Sequence, residues 1–331
     1  MENLRKTIYV ILCVIAVLIM VVSLLSVFRN TESRFLKMLD FPRIQVFITS
    51  AVSLILFVIL TKRWRWYDYA LVVGLLGGLV TNGRYLINYT PLVAEAVPGV
   101  AENYRTENEL SLMLINVKMS NRTVEPLLEL IERRQPDLIV AMEVDEWWEA
   151  NLEVIEQHYP HREETINSVS YGMTLYSKLP VKDVNVNYLQ NEKVPSYDAI
   201  VTLPGGQDVH LHAVHPVPPK HFEDLPDNEG QEEKALVKLG RKIEDHTLPV
   251  IVAGDFNDVV WGFTNELTET DDLLHDVRVG RGFYNSFDAQ NFFMRWPLDH
   301  FFVTEEFKVK NLERLPDVGS DHFPILVELA L

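Results

Sequence analysis

The 331-residue chain contains a single cysteine, Cys13. One thiol excludes an intrachain disulfide and leaves redox chemistry silent about the compartment. There is no low-complexity tract and no internal repeat at a solenoid period, which excludes repeat architectures. Positive charge is scarce where it would matter for nucleic acid. From residue 105 onward 20 Lys and Arg face 41 Asp and Glu, a formal charge of about −21, whereas the whole chain carries −17. Such a field repels polyanions at long range and offers no basic stripe to neutralise a phosphate backbone.

What the chain has in excess is apolar sequence, and nearly all of that excess precedes residue 90. Residues 7–28, "TIYVILCVIAVLIMVVSLLSVF", are 22 positions without a charge. At about 1.5 Å per residue they can cross a hydrocarbon layer of roughly 30 Å as one helix. A second charge-free run covers residues 44–61. A third, Tyr69 to Gly83, lies between Asp68 and Arg84 and recruits Trp66, Tyr67 and Tyr85 as interfacial anchors, for a helix over 66–87. The first run exceeds a signal-peptide core, and no small-residue cleavage site follows it. The expectation is a transmembrane region over residues 1–87, integral to a membrane, with the bilayer as its partner. Basic residues flank the spans equally, five on each side, so they do not orient the chain. The tight turn "TKRWRWYD" reads as a cytoplasmic loop, which would place residues beyond about 90 outside the cytoplasm.

Residues 88–107, rich in Pro, Glu and Asn without a sustained period, read as a linker, and residues 108–331 as one domain. Apolar β-type runs occur at 111–116, 137–142, 171–177, 181–188, 197–203, 208–214, 249–254, 299–304 and 325–329. Helical patterns fall at 124–134, with Pro126 in the first turn, and at 146–158, 229–246 and 265–277. Consecutive strands are too many for one parallel doubly wound sheet. The expected fold is α/β: a four-layer α/β/β/α sandwich of two mixed sheets flanked by helices.

Polar residues recur at the ends of these runs. Asn116 ends the first and Glu143 follows the second. His215 follows "HLHAV", Asp255 and Asn257 follow "VIVAG", Asp299 and His300 open "DHFFV", and Asp321 and His322 precede the last strand. Strand ends on one sheet edge converge, and ligands commonly bind there. Carboxylates with an amide suit a hard divalent cation, and a histidine can protonate a leaving oxygen. Taken singly, each has a plainer reading: Asn116 and Asn257 as turn caps, Glu143 as an exposed acid near a helix start, Asp299 as a turn residue. His215 competes with His210, His212 and His221. The joint order is what points to one site.

That order resembles the endonuclease/exonuclease/phosphatase superfamily, which includes pancreatic deoxyribonuclease, abasic-site endonucleases, sphingomyelinases and inositol polyphosphate phosphatases. The specific elements are "GDFN" (254–257) and "GSDHFP" (319–324), supported by Asn116, "ME" at 142–143, "YGMTLYSKLPV" and "PLDHFFV". A membrane-anchored bacterial subgroup is the most similar in its multi-helix N-terminus, "HPVPP", "GDFNDVVW" and "WPLDH", which implies a bacterial cell membrane. The resemblance implies that Glu143 and Asp321 bind the metal, with Asn116 close by. It implies that Asp255 activates water, that Asn257 holds the scissile phosphate, and that His322, oriented by Asp299, contacts it. His215 falls where relatives act on phosphate or leaving group. Lys178 stands where relatives more often carry Arg. The implied cofactor is Mg2+, with Mn2+ and Ca2+ as alternatives.

The expected activity is metal-assisted hydrolysis of a phosphoester, with a small-molecule or lipid-borne substrate favoured over nucleic acid because of the acidic charge. A nuclease of the same fold and a catalytically silent, membrane-held binding domain are the alternatives. The aromatic segment 282–296 suits packing better than substrate or membrane contact.

Overall fold

A run of 18 or more apolar residues buries its backbone polar groups most economically as a helix, because every interior N–H and C=O is then paired within the segment. In the computed structural model, which describes residues 2–28, 33–101, 104–189, 192–217, 232–262, 270 and 273–331, the three long apolar runs are helices. They are α1 (Glu2–Leu25), α3 (Arg43–Leu60) and α4 (Trp66–Leu86), with a single turn, α2 (Arg34–Lys37), before α3. Three helical segments, Asn3–Leu25, Arg43–Leu60 and Trp66–Tyr89, are long and apolar enough to cross a membrane. Polar side chains in them face one another. The buried Arg43 pairs with Asp40 and donates to Asn82 Oδ1 at 3.3 Å, and Asn82 Nδ2 donates to Ser23 Oγ at 3.1 Å. Gly78 lies where a Cβ would stand 2.9 Å from Ile19, so α1 and α4 approach closely through a small residue.

Backbone contacts divide the chain into one unit containing Met1–Leu92 and a second containing Val93–Val260 and Thr264–Leu331. Part of the stretch read as a linker is packed in the second unit. Val97 is buried in its core, and Gly99 bridges Val309.

The second unit holds β1 (Glu109–Asn116), α5 (Glu125–Arg134), β2 (Leu138–Met142), α6 (Glu146–Leu152), β3 (His161–Thr165), β4 (Met173–Ser177), β5 (Val181–Asn187) and β6 (Ser196–Thr202). It continues through β7 (Asp208–Val214), α7 (Glu232–Glu244), β8 (Val250–Asp255), β9 (His275–Asp276), β10 (Asp299–Val303), β11 (Lys308–Arg314) and β12 (Ile325–Ala330). One sheet has the order β11-β12-β1-β2-β4-β3 and the other β5-β6-β7-β8-β10-β9. Each contains one parallel pair, β1 with β2 and β7 with β8, and is otherwise antiparallel.

Side chains alternate across each sheet with period two, and this builds the layers. Leu110, Leu112 and Leu114 of β1, Val140 of β2, Leu211 of β7, and Ile251 and Ala253 of β8 point between the sheets into a common core. Met113, Ile115 and Ile139 point the other way, against α5 and α6 through Leu127, Ile131, Trp148 and Leu152. Val250, Val252 and Phe302 pack on Leu236, Leu239 and Ile243 of α7. The result is the α/β/β/α sandwich expected from the strand count.

The expected helix over 265–277 lies partly outside the described residues. At its end His275 and Asp276 form β9, paired to β10, because Asp276 and His275 face Phe302 and Val303 across a backbone ladder. The strands β3, "HREET", and β11, "KVKNLER", carry charge instead of apolar alternation. Each sits at the edge of its sheet, where charged residues blunt further pairing.

One glycine sets a hard limit on the site edge. A Cβ at Gly254 would lie 1.8 Å from the Val214 carbonyl oxygen on the neighbouring parallel strand. Backbone, unlike a flexible side chain, cannot yield cheaply. Gly254→Ala is expected to cost about 1–3 kcal/mol of stability and to lower the thermal unfolding midpoint measured in detergent; an unchanged midpoint would show that the two strands separate without cost.

Candidate active site

The parallel strands of each sheet end on the same edge as the antiparallel strands beside them begin. Asn116 (β1) and Asp255 (β8) continue the inward-facing series of their strands, after Leu114 and Ala253, so their side chains project into the space between the sheets. Asp299 opens β10 directly opposite Asp255, and Phe301 and Val303 place it in the same inward series. His300 faces the other way, stacks on Phe256 and bonds the Asp258 carbonyl at 2.8 Å, so it belongs to the outer layer. Burial, with the positive Arg278 adding to it, pushes the His300 imidazole down to about 3, which keeps it neutral.

The convergence is close. Asn116 Nδ2 donates both to Glu143 Oε1 at 2.9 Å and to Asp255 Oδ2 at 3.1 Å, while its Oδ1 accepts from the Lys118 N–H at 2.9 Å. Glu143 Oε2 accepts from the Met119 N–H at 3.0 Å. His322 Nδ1 lies 2.8 Å from Asp299 Oδ2, and its Nε2 lies 3.5 Å from Asp255 Oδ2. His215 Nε2 stands 3.8 Å from the same Asp255 oxygen. Asn257 donates its backbone N–H to Asp255 Oδ1 at 2.9 Å and its Nδ2 to the Pro216 carbonyl at 3.0 Å. Single ligand atoms of Asp255, Asp299 and His322 lie within 4.8 Å of one another, a group able to hold a metal ion.

Asp321 is placed differently from the other acids. Its Oδ2 is 3.0 Å from Lys118 Nζ, so its carboxylate is paired with an ammonium at the mouth of the edge. Glu143 and Asn257 both have positive φ, 62° and 52°. For Glu143, which lacks the short amide that eases this conformation, the left-handed backbone costs about 1–3 kcal/mol and turns the carboxylate back toward Asn116.

The electrostatics follow from burial. Asp255 and Asp299 are wholly buried. Burial raises the Asp255 pKa, outweighing the nearby imidazoles. For Asp299 burial works in the same sense, but His322 outweighs it and the pKa falls. Burial opposes a charge on His322, yet Asp299 and Asp255 overcome it and push the imidazole up to about 10. Burial lowers His215, which is therefore neutral. A protonated imidazole and a carboxylate able to accept a proton thus stand side by side at neutral pH.

Several residues were not singled out in the sequence. Lys118 anchors Asp321 and, through its N–H, Asn116. Ser320 Oγ donates to the Asn116 carbonyl at 2.7 Å and accepts from the His322 N–H at 3.0 Å. Ser286 Oγ accepts from the N–H groups of Leu298 and Asp299 at 3.2 Å. Ser320 was within reach of sequence reasoning, as part of "GSDHFP"; Ser286 had no signal except its place in an aromatic segment. That segment divides: Phe287 lies 5.0 Å from the His322 ring, while Phe292 and Phe293 are exposed. Lys178 is at the opposite sheet edge, bonded to the Gln135 carbonyl at 2.6 Å, and takes no part in the site. His210 and His212 lie on the outer face of β7, and His221 falls outside the described residues.

The family pattern described as "Endonuclease/Exonuclease/phosphatase family" matches residues 113–322, more than half of the chain, and takes in "GDFN" and the first four residues of "GSDHFP". The chain belongs to that family. Members hydrolyse phosphoester bonds, so this chain is a phosphoester hydrolase, of a family that typically depends on divalent metal ions. Among solved structures, a humanized D. rerio TDP2 bearing 14 mutations is 18% identical with a TM-score of 0.57, over 68% of this chain and 100% of that one. An endonuclease/exonuclease/phosphatase from Bacteroides vulgatus is 17% identical with a TM-score of 0.53, over 69% and 100%. One from Beutenbergia cavernae is 20% identical with a TM-score of 0.51, over 68% and 72%. These likenesses are of fold. No curated protein matches the chain.

Asp299→Asn keeps the shape of the residue that orients His322 but removes its charge and favours the wrong tautomer. The expected outcome is a fall in kcat of about 10²–10⁴ with far-UV circular dichroism unchanged; wild-type kcat would show that the pair has no part in turnover.

Proposed function

We propose that the chain is a membrane-anchored, divalent-cation-dependent phosphodiesterase or phosphatase acting on a small or lipid-borne phosphoester. The observation that carries the reading is the placement of His322 between two buried carboxylates, with Glu143 clamped to one of them through Asn116.

The donor set fits a hard cation. Glu143 presents two oxygens held by one hydrogen bond each, leaving lone pairs toward the cleft. The Lys118 ammonium on Asp321 marks a place that already takes positive charge. Glu143 and Asp321 would hold the ion, with Asn116 close by, orienting Glu143 through Nδ2 and keeping one Oδ1 lone pair beside its Lys118 N–H contact. Oxygen donors of this kind favour Mg2+, and Mn2+ or Ca2+ would use the same atoms. When bound, the cation withdraws charge from the phosphoryl group and acidifies a coordinated water.

The chain's own residues supply the rest. Asp255 accepts the water proton, a task suited to a carboxylate whose pKa is raised by burial. His322, kept protonated and aligned by Asp299, donates to a phosphoryl or leaving oxygen through Nε2. Asn257 offers its second amide hydrogen to the phosphate while Nδ2 stays tied to Pro216. His215, neutral and buried beside Asp255, acts on the phosphate or the leaving group.

The substrate class rests on charge and on tethering. A soluble unit of about −21 without a basic stripe grips a polyanionic duplex poorly. Three apolar helices hold it where lipid-borne substrates are concentrated. The short basic turn between α3 and α4, Lys62 to Arg65, suits the cytoplasmic face and so supports an extracytoplasmic catalytic unit. The second reading, a nuclease, draws on the similar fold of D. rerio TDP2 solved with a single-strand DNA product, at 17% identity and TM-score 0.57 over 67% of this chain and 99% of that one.

Incubation of the purified full chain in detergent with Mg2+ and, separately, bis-p-nitrophenyl phosphate, phospholipid vesicles and plasmid DNA separates the two. Hydrolysis of the diester or lipid with plasmid left intact at physiological salt is expected; efficient plasmid cleavage would establish the nuclease reading instead.

A further inference from the structure

The face of β6 and β7 turned away from the inter-sheet core should be apolar where α7 covers it, and around Val214, Val250, Leu236, Leu239 and Ile243 it is. Three positions break that pattern together. Asp198 of β6 and His210 and His212 of β7 alternate out of phase with Tyr197, Ala199, Leu211 and Ala213, which fill the inner core. The antiparallel register sets Asp198 opposite His212, with His210 on the adjacent diagonal. One ligand atom from each of the three lies within 4.8 Å of the others.

A hydrogen-bond network accounts for only part of this cluster. His210 Nε2 bonds Asp198 Oδ1, and the two imidazole rings stand 4.2 Å apart. His212 is 2% exposed, and its Nε2 is buried without a hydrogen-bond partner. A buried polar nitrogen left unpaired carries its full desolvation cost. Among the described residues nothing repays that cost, and a ligated cation would.

We propose that Asp198, His210 and His212 form a second metal site, selective for Zn2+ or a similar divalent transition ion and independent of the catalytic edge. Two imidazole nitrogens and a carboxylate oxygen are the donor types that zinc prefers, and three protein ligands leave a fourth position for water. The catalytic edge, richer in carboxylate and amide oxygen, selects harder ions. The site is reachable, since the side chains of His210 and Asp198 are 24% and 19% exposed. Lys242, in the last turn of α7, competes for it. Its Nζ lies 3.5 Å from Asp198 Oδ2 and 2.8 Å from Asn187 Oδ1, so the lysine must yield Asp198 when the ion binds and keeps Asn187 as its anchor. The ion would thereby fasten β6 to β7 beneath the C-terminal end of α7.

The test is a Zn2+ titration of the metal-stripped full chain in detergent against a chromophoric chelator, with Mg2+ in large excess to saturate the catalytic edge. A Co2+ titration reports ligand-field bands in parallel. One tightly held Zn2+ per chain is expected, retained by Glu143→Gln. Binding should be at least about 100-fold weaker in Asp198→Asn and His210→Gln, beyond the loss typical of an outer-shell partner. Lys242→Met should tighten it, an effect that a purely structural cluster would not show. Circular dichroism identifies folded variants, and Mg2+-dependent hydrolysis of bis-p-nitrophenyl phosphate does so for those outside the catalytic edge. Three results would each overturn the proposal: no Zn2+ uptake by the native chain, uptake unchanged in folded Asp198→Asn and His210→Gln, or uptake lost only in Glu143→Gln.

Discussion

Asp255 and Asp299 lie fully out of water on either side of a single imidazole, His322. Two carboxylates at such range repel, and burial amplifies the repulsion. The structure compensates with one imidazolium, the Asn116 amide and the Asn257 N–H, and Glu143 then adds a further acid at the same edge. Negative charge still exceeds positive there. That imbalance explains both why His322 holds its proton so firmly and why the edge calls for a cation, since an added positive charge lowers the cost of every acid around it.

The sheets make this concentration of charge achievable. Each has one parallel pair, and the ends of β1, β2, β7 and β8 reach a common edge where β10 and β12 begin. The period-two alternation that fills the core with Leu114, Ala253 and Phe301 extends by one more step toward the edge, to Asn116, Asp255 and Asp299. The side chains gathered at this edge are therefore continuations of core-facing rows past the point where apolar packing stops. Gly254 belongs to the same geometry, as the position where β8 must pass within backbone contact of Val214. Glu143 reaches the edge by a different route, through a left-handed turn after β2.

Much of this was legible in the chain itself. Runs such as "HLHAV" and "VIVAG" announce buried strands by composition, and the polar residue that ends each one announces the edge. Asn116, Glu143, Asp255, Asn257, Asp299, His215 and His322 could be gathered because each stands immediately beside an apolar run. Less was legible where side chains do not signal their partners. β3 and β11 are edge strands held by backbone pairing, and their Glu, Lys and Arg residues give no apolar alternation to read. Ser286 and Lys118 act through contacts with residues near or far in sequence that no local pattern encodes. Lys178 shows the converse: a charge in the expected segment whose strand runs the wrong way to bring it to the edge. His210 and His212 looked like rivals of His215 on a linear reading, but the strand's alternation sends them to the opposite face.

The two units divide the physical labour. Three helices long and apolar enough to cross a membrane pair Arg43 internally with Asp40 and Asn82, and an acidic sandwich gathers the polar edge. The central claim is that Glu143 and Asp321 hold a divalent ion at the strand edge, beside the buried Asp255 and Asp299. Anomalous diffraction from a crystal of the chain soaked in Mn2+ tests it most directly. A peak within coordination distance of the Glu143 carboxylate, beside Asp255 and His322, is the predicted result; an ordered crystal with no peak at that edge, and Mn2+ bound elsewhere or not at all, would contradict the account.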